Sequence, residues 1–325
     1  MKMSRRLASI ALIGFILSLL GACSYNRGIE PKENKKTVAL ILNSGTGYHG
    51  STIKLGADIA AREFNINLEY NAPLDESDTE SQIKMVEQAL AAGVDGLILA
   101  ASDFKDLVEV TEKAYAMNIP VIIIDSAVDT NKIDSYIATD NFEAGKKAAE
   151  AVVSKVGSHC QTVILSYLEG SRNAEKREEG FMSVLSEYPG IEVLDTRYTS
   201  SEGKLAYELT QKILTEHPGL DAIVALNTIN TEYAAQAVDE MGLGGKVKII
   251  GFGSTTREIA YMEKDVIQAL IIQNPFSMGY LGVKYAVDRM AGKTVERQTY
   301  TESKVIDYES IYLPENQKLI FPLIK

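Results

Sequence analysis

The residues with the plainest chemical pattern are Gly45-Thr46-Gly47-Tyr48-His49-Gly50, a G-x-G-x-x-G run with Glu69 standing 19 residues beyond Gly50. Glycines at that spacing let a backbone approach a pyrophosphate at a helix N-terminus, and an acid that far downstream can bond ribose hydroxyls. This would be the chemistry of an NAD-dependent enzyme. The alternative is a tight strand-to-helix turn with positions at φ > 0. A second candidate is Asp125, which follows the apolar run 121–124 and either accepts two hydroxyl hydrogens or caps the next segment. Other chemistries lack their spacing. Cys23 and Cys160 lie far apart without paired His or Cys, which excludes a zinc site and a disulfide framework. Ser44, Ser166 and Ser171 lack a nucleophile elbow. The run Asp75-Glu76-Ser77-Asp78 lacks a calcium-loop pattern and reads as an acidic helix start, and His159 and His217 read as loop or helix-end residues. No metal and no cofactor are expected.

These residues need elements to hold them. Residues 37–43 (TVALILN) form a β-branched apolar run, and residues 51–64 place Ile53, Ala57, Ala60 and Phe64 at helical spacing. The alternation continues with strand 67–70, helix 77–92, strand 96–100, helix 104–117 and strands 121–124 and 136–139. A second series follows: helix 144–156, strand 162–167, helix 176–188, strand 192–198, helix 203–216, strand 222–226, helix 231–241, strand 247–251, helix 257–264 and strand 267–272. Helix 278–290, one candidate strand over 298–307 and a polar-to-apolar tail close the chain. The expected class is α/β, two doubly wound parallel-sheet lobes with ligand sites at the carboxyl ends of the strands and a cleft between the lobes.

An ordered series of short phrases runs through this frame. It includes Gly56-Ala57, Ala92-Gly93-Val94-Asp95-Gly96, Asn118-Ile119-Pro120-Val121, Ile124-Asp125-Ser126 and Tyr136-Ile137-Ala138-Thr139-Asp140-Asn141. Arg177-Glu178-Glu179-Gly180-Phe181, Ala225-Leu226-Asn227, Ile250-Gly251-Phe252 and Gln273-Asn274-Pro275 continue it. The series resembles the ribose- and galactose-type periplasmic binding proteins, the type I family that also supplies the effector domain of sugar-responsive repressors. The resemblance implies a ligand held by Asp125 and Ser126 from one lobe and by Arg177, Asn227, Gly253 and Gln273 from the other. Arg177 matches the family's sugar-clamping arginine, and its replacement by alanine is expected to weaken binding while leaving the fold intact. Tyr48 and His49 stand near the family's aromatic clamp. Thr228 and Gly253 replace two family carboxylates, which points toward a less hydroxyl-rich or even anionic ligand. The implied hinge has three crossovers, near Thr139 and Asp140, near Asn274, and within 300–306.

The first residues read as an address. Residues 1–6 are basic, 7–20 are apolar apart from Ser9, Gly14 and Ser18, and Leu20-Gly21-Ala22-Cys23 resembles a bacterial lipobox. The apolar run is shorter than the ~20 residues of a spanning helix. The expected organisation is a signal peptide over 1–22, a lipidated tether over 23–36, one lobe from 37–139 plus 274–302, and the other from 140–273 plus 303–325. Lys+Arg 33 against Asp+Glu 44 gives −11, and 30 against 44 gives −14 once 1–22 are removed, which excludes a basic nucleic-acid grip. With the export signal, these readings favour a monomeric extracytoplasmic binding lipoprotein over an NAD enzyme. Its expected partners are a sugar or sugar-derivative and the permease of an ABC importer, with a sensor-kinase ectodomain or chemoreceptor as the alternative reader. It would contact the membrane only through a lipid on Cys23, with no nucleic acid.

Overall fold

The apolar β-branched runs pair into two sheets of the same design, as seen in a computed structural model that describes residues 35–200 and 202–322. The strands of the first are β1 (Thr37–Ile41), β2 (Asn67–Asn71), β3 (Gly96–Leu99), β4 (Val121–Ile124), β5 (Ser135–Thr139) and β11 (Gln298–Thr301). They lie in the order β11-β5-β4-β3-β1-β2, all parallel. The second sheet contains β6 (Cys160–Ser166), β7 (Ile191–Tyr198), β8 (Ala222–Ala225), β9 (Lys248–Phe252), β10 (Ala269–Ile272) and β12 (Lys304–Ile306). Its order is β12-β10-β9-β8-β6-β7, parallel except for β12, which runs against β10. The central strands β3, β4, β8 and β10 are buried throughout, which is why they read as continuous apolar runs and not as alternation.

Helices cover both faces of each sheet. In lobe one, α1 (Tyr48–Glu63) packs on α9 (Pro275–Met290), with α2 (Thr79–Ala92) and α3 (Val108–Ala116) on the other face. In lobe two, α4 (Asn141–Lys155) packs on α5 (Arg172–Leu185), and α6 (Gly203–Glu216), α7 (Thr228–Glu240) and α8 (Thr256–Glu263) cover the remainder. The chain passes between lobes after β5, after β10 and between β11 and β12. Asp140 caps α4 by accepting from the Glu143 N–H, and Asn274 caps α9 by accepting from the Ser277 N–H. Thr139 Oγ1 donates to Gln273 Oε1 at 3.1 Å, tying the first two passages together.

Two sequence expectations change here. The single strand expected over 298–307 is two short strands in different sheets, because Glu302 and Ser303 carry the chain from one lobe to the other. The tail contains a helix, α10 (Pro314–Ile320), which buries Ile320 in the core of lobe two beside Ile306 and Ile311. Cys160 is a buried free thiol whose pKa is pushed up by burial, consistent with a packed residue. Cys23 and the rest of the expected signal segment lie outside the described residues. Among those described, no helix is long and apolar enough to cross a membrane, and no cluster of His, Cys, Asp and Glu could hold a metal ion.

Candidate functional site

A cavity of about 700 Å³ lies between the carboxyl ends of the two sheets. Tyr48, His49, Asp125, Ser126, Arg177, Asn227 and Gln273 all line it, whereas Gly253 does not. Asp125 leaves the end of β4 with φ 56, in the left-handed region that Asp tolerates better than most side chains, while its N–H still bonds Ile137 O at 2.9 Å. The ladder therefore fixes the backbone to the point where the carboxylate turns toward the cleft. Asp125 is only 8% exposed, and Oδ1 lies 3.2 Å from His49 Nε2. Burial pushes its pKa up, but the charges and hydrogen bond of His49, with Arg177 and Ser126, hold it below the ordinary carboxylate value. It enters the cavity as an anion.

Arg177 occupies the opposite wall. It is 4% exposed, and its Nε donates to Asn141 Oδ1 at 2.8 Å, Nη1 to Leu226 O at 2.6 Å and Nη2 to Gln273 Oε1 at 3.0 Å. Its guanidinium also lies 4.4 Å from the Phe252 ring centroid. Three donors thus go to protein and two of the five remain for a ligand. The expectation that Arg177 can be removed without touching the fold is corrected by this geometry, because the side chain joins α4, α5, the end of β8 and the start of α9. Gln273 Oε1 is taken by Arg177 and Thr139, and Asn227 Oδ1 caps α7 by accepting from the Asn230 N–H. Among the described residues the amide N–H groups of both side chains have no partner, so both offer donors to the cavity.

Tyr48 and His49, the aromatic clamp candidates, line the cavity and each also makes a hydrogen bond. Tyr48 directs its hydroxyl to Ile320 O at 2.8 Å, joining α1 of lobe one to α10 on lobe two, and His49 is engaged with Asp125. Asn173 Nδ2 reaches Ser126 Oγ at 3.3 Å and adds a second bond across the cleft. Tyr48→Phe should remove about 1 kcal/mol of lobe-to-lobe contact. A several-fold fall in ligand affinity by calorimetry is expected, and unchanged affinity would show that the bond contributes nothing to closure.

Gly253 is displaced from its expected role by Glu258. Its φ is 141, and a Cβ there would overlap the Glu258 carboxyl, so only glycine fits. Glu258 is fully buried, receives the Thr255 N–H on Oε2 in a capping box, and leaves Oε1 without a hydrogen-bond partner among the described residues. Burial drives its pKa well up against the Thr255 hydrogen bonds, with Glu232 adding to the rise. Because the folded state binds this proton more tightly than the unfolded chain, stability falls as pH climbs from the ordinary value of 4.5 toward the folded one. Glu258→Gln keeps the cap and deletes the titration. Urea unfolding should show the variant at least as stable at alkaline pH, with a flatter pH dependence.

The sequence reading missed much of the wall. Asp75 and Glu76, expected only as a helix start, line the cavity with Glu202, Glu232 and Thr255, although Asp78 does cap α2. The expectation of an anion-friendly cleft is therefore corrected, because carboxylates from other positions make up for Thr228 and Gly253. Asn141, which orients Arg177, stood inside a quoted phrase but had no assigned role.

Comparison with known proteins agrees with this architecture. The family described as periplasmic binding protein domain matches residues 38–294. The chain belongs to the periplasmic binding protein family. It is a binding protein and not an enzyme, and the family works outside the cytoplasm. The chain is similar to the D-ribose/D-allose-binding protein of Pseudomonas aeruginosa, 26% identical over 90% of this chain and 95% of the relative. It is also similar to a fructose import binding protein of Bifidobacterium longum, 26% identical over 94% and 95%. Among solved structures, a carbohydrate transporter solute binding protein from Agrobacterium radiobacter, in complex with D-arabinose, superposes with TM-score 0.85 at 26% identity, covering 89% of this chain and 99% of the other.

Proposed function

We propose that this periplasmic binding protein is a lipid-anchored sugar-binding component of an ABC importer, closing on a monosaccharide or sugar derivative and presenting the closed form to a permease. The observation that carries the reading is the cavity itself: an ionised Asp125 from lobe one faces Arg177, Asn227 and Gln273 from lobe two. A sugar hydroxyl both donates and accepts, so carboxylate acceptors set against guanidinium and amide donors suit a polyhydroxylated ring. A ligand touching both walls stabilises the closed arrangement by its differential affinity for it. Thr139, Asp140 and Asn274 form the hinge, between lobes comprising 37–139 plus 274–302 and 140–273 plus 303–325. The relatives and structural neighbours that bind sugars support the ligand class. Residues 1–22 act as the signal peptide, and Cys23 carries the lipid at the head of a tether over 23–36.

A thermal-shift screen against pentoses, hexoses, ketoses, amino sugars and sugar acids tests the ligand class. A ligand bound only by the native state at 100 times its Kd adds about 2.7 kcal/mol. A saturable shift with one sugar is the expected result, and no shift across all five classes would overturn the reading. Mass spectrometry of the membrane-extracted protein should find a diacylglyceryl adduct on Cys23, and a free cysteine or a cleavage site elsewhere would remove the anchor.

A further inference from the structure

The cleft holds more negative charge than a neutral sugar requires. Asp75 and Glu76 in the loop after β2 and Asp125 after β4 come from lobe one, while Glu202 before α6 and Glu232 on α7 come from lobe two. Among the described residues, five carboxylates against one guanidinium leave the wall at a formal −4 before His49 is counted, and no lysine lines it. The cations are partly engaged, since Arg177 gives one donor from each nitrogen to protein and keeps two for a ligand, while His49 lies on Asp125. Asp125, its side chain 12% exposed and facing the cavity, receives on Oδ2, among the described residues, one long bond, 3.4 Å from Ser126 Oγ.

Two further acids are held in position. Asn43 Nδ2 donates to Glu76 Oε1 at 2.8 Å, and Thr255 Oγ1 donates to Glu232 Oε1 at 2.5 Å. Arg257, from outside the cavity lining, forms an ion pair with Glu232 at 3.6 Å that offsets part of this charge. Their field reaches across the gap: the Tyr167 phenol of lobe two is pushed up to about 12, first by burial, and Glu76 and Asp125 of lobe one add to the rise against Arg177. In a cleft with low-dielectric walls such a field is focused, which disfavours an anion and attracts a cation. An ammonium group offers three donors to carboxylates of both walls.

Building on the sugar-binding reading, we infer that the ligand is a cationic sugar, a polyhydroxylated ring bearing a protonated amine that the carboxylates of both lobes enclose. Titration calorimetry of the purified protein would compare D-glucosamine and D-galactosamine with D-glucose, D-galactose, their N-acetylamines and D-glucuronate, with D-ribose, D-allose, D-arabinose and D-fructose as neutral controls. An amine should bind roughly tenfold or more tightly than both its neutral parent and its N-acetyl form, with the margin shrinking at high salt. Glu76→Gln and Glu232→Gln, one in each lobe, should each narrow that margin while retaining the wild-type unfolding temperature without ligand. If a neutral sugar or the uronate binds as well as the amines or better, the sugar-binding reading stands and the cationic ligand is refuted. If every compound is silent, the sugar-binding reading itself falls, and this inference with it.

Discussion

Arg177→Ala is expected to lose about 3 to 5 kcal/mol of stability and to abolish ligand binding. The guanidinium is 4% exposed and donates to Asn141, Leu226 O and Gln273, so its removal leaves three buried acceptors short of a charge-assisted partner. It also withdraws one of the positive charges that, with His49, outweigh the burial of Asp125. A depressed carboxylate contributes stability that is complete above its ordinary value of 3.8 and is lost as pH falls through the folded value. Without Arg177 the folded value moves back up, so this contribution shrinks and its loss on acidification ends at a higher pH. Arg177→Lys keeps the charge but cannot donate in three fixed directions, so it should recover part of the stability and little of the binding. The checks are the urea midpoint at unchanged slope and titration calorimetry with the sugar found by screening. A fully stable, non-binding alanine variant would mean that Arg177 serves the ligand alone.

This double role explains why the frame was legible in the sequence and the site only partly so. Buried strands such as β4 and β8 declare themselves through uninterrupted apolar residues, and each sits between turns. The third crossover did not separate into β11 and β12, because the two residues between them, Glu302 and Ser303, include no Gly, Pro, Asn or Asp to mark a turn. In the site, Asp125, Arg177, Asn227 and Gln273 stand in short phrases next to strand ends or on the helix that follows, where the doubly wound topology puts ligands. Glu232 sits in α7, where a helix-surface acid ordinarily meets solvent, and only the three-dimensional packing turns it toward the cleft. The exchange between Gly253 and Glu258 was equally hidden, since the space a side chain at 253 would need is filled from a helix five residues later.

Gly145→Ala should destabilise the protein and weaken ligand binding by about tenfold or more, although residue 145 lies in a helix where alanine is locally preferred. α4 and α5 approach so closely that a Cβ on Gly145 would overlap the carbonyl of Arg177, and one on Gly180 would overlap the carbonyl of Phe142. Backbone atoms cannot rotate away as a side-chain tip can, so the helices must separate, at a net cost of about 2 kcal/mol. That movement displaces the backbone carrying the guanidinium and stretches its bonds to Leu226 O and Gln273. Lobe one contains the matching contact, where a Cβ on Gly279 would overlap the carbonyl of Ile53. Gly279→Ala should lose similar stability, but Ile53 is a core residue and makes no contribution to the cavity wall. Urea unfolding and calorimetry on both variants separate the two effects. A larger affinity loss for Gly145→Ala ties the packing of α4 on α5 to the geometry of Arg177, whereas equal losses would show that loosening either lobe disturbs the cleft alike.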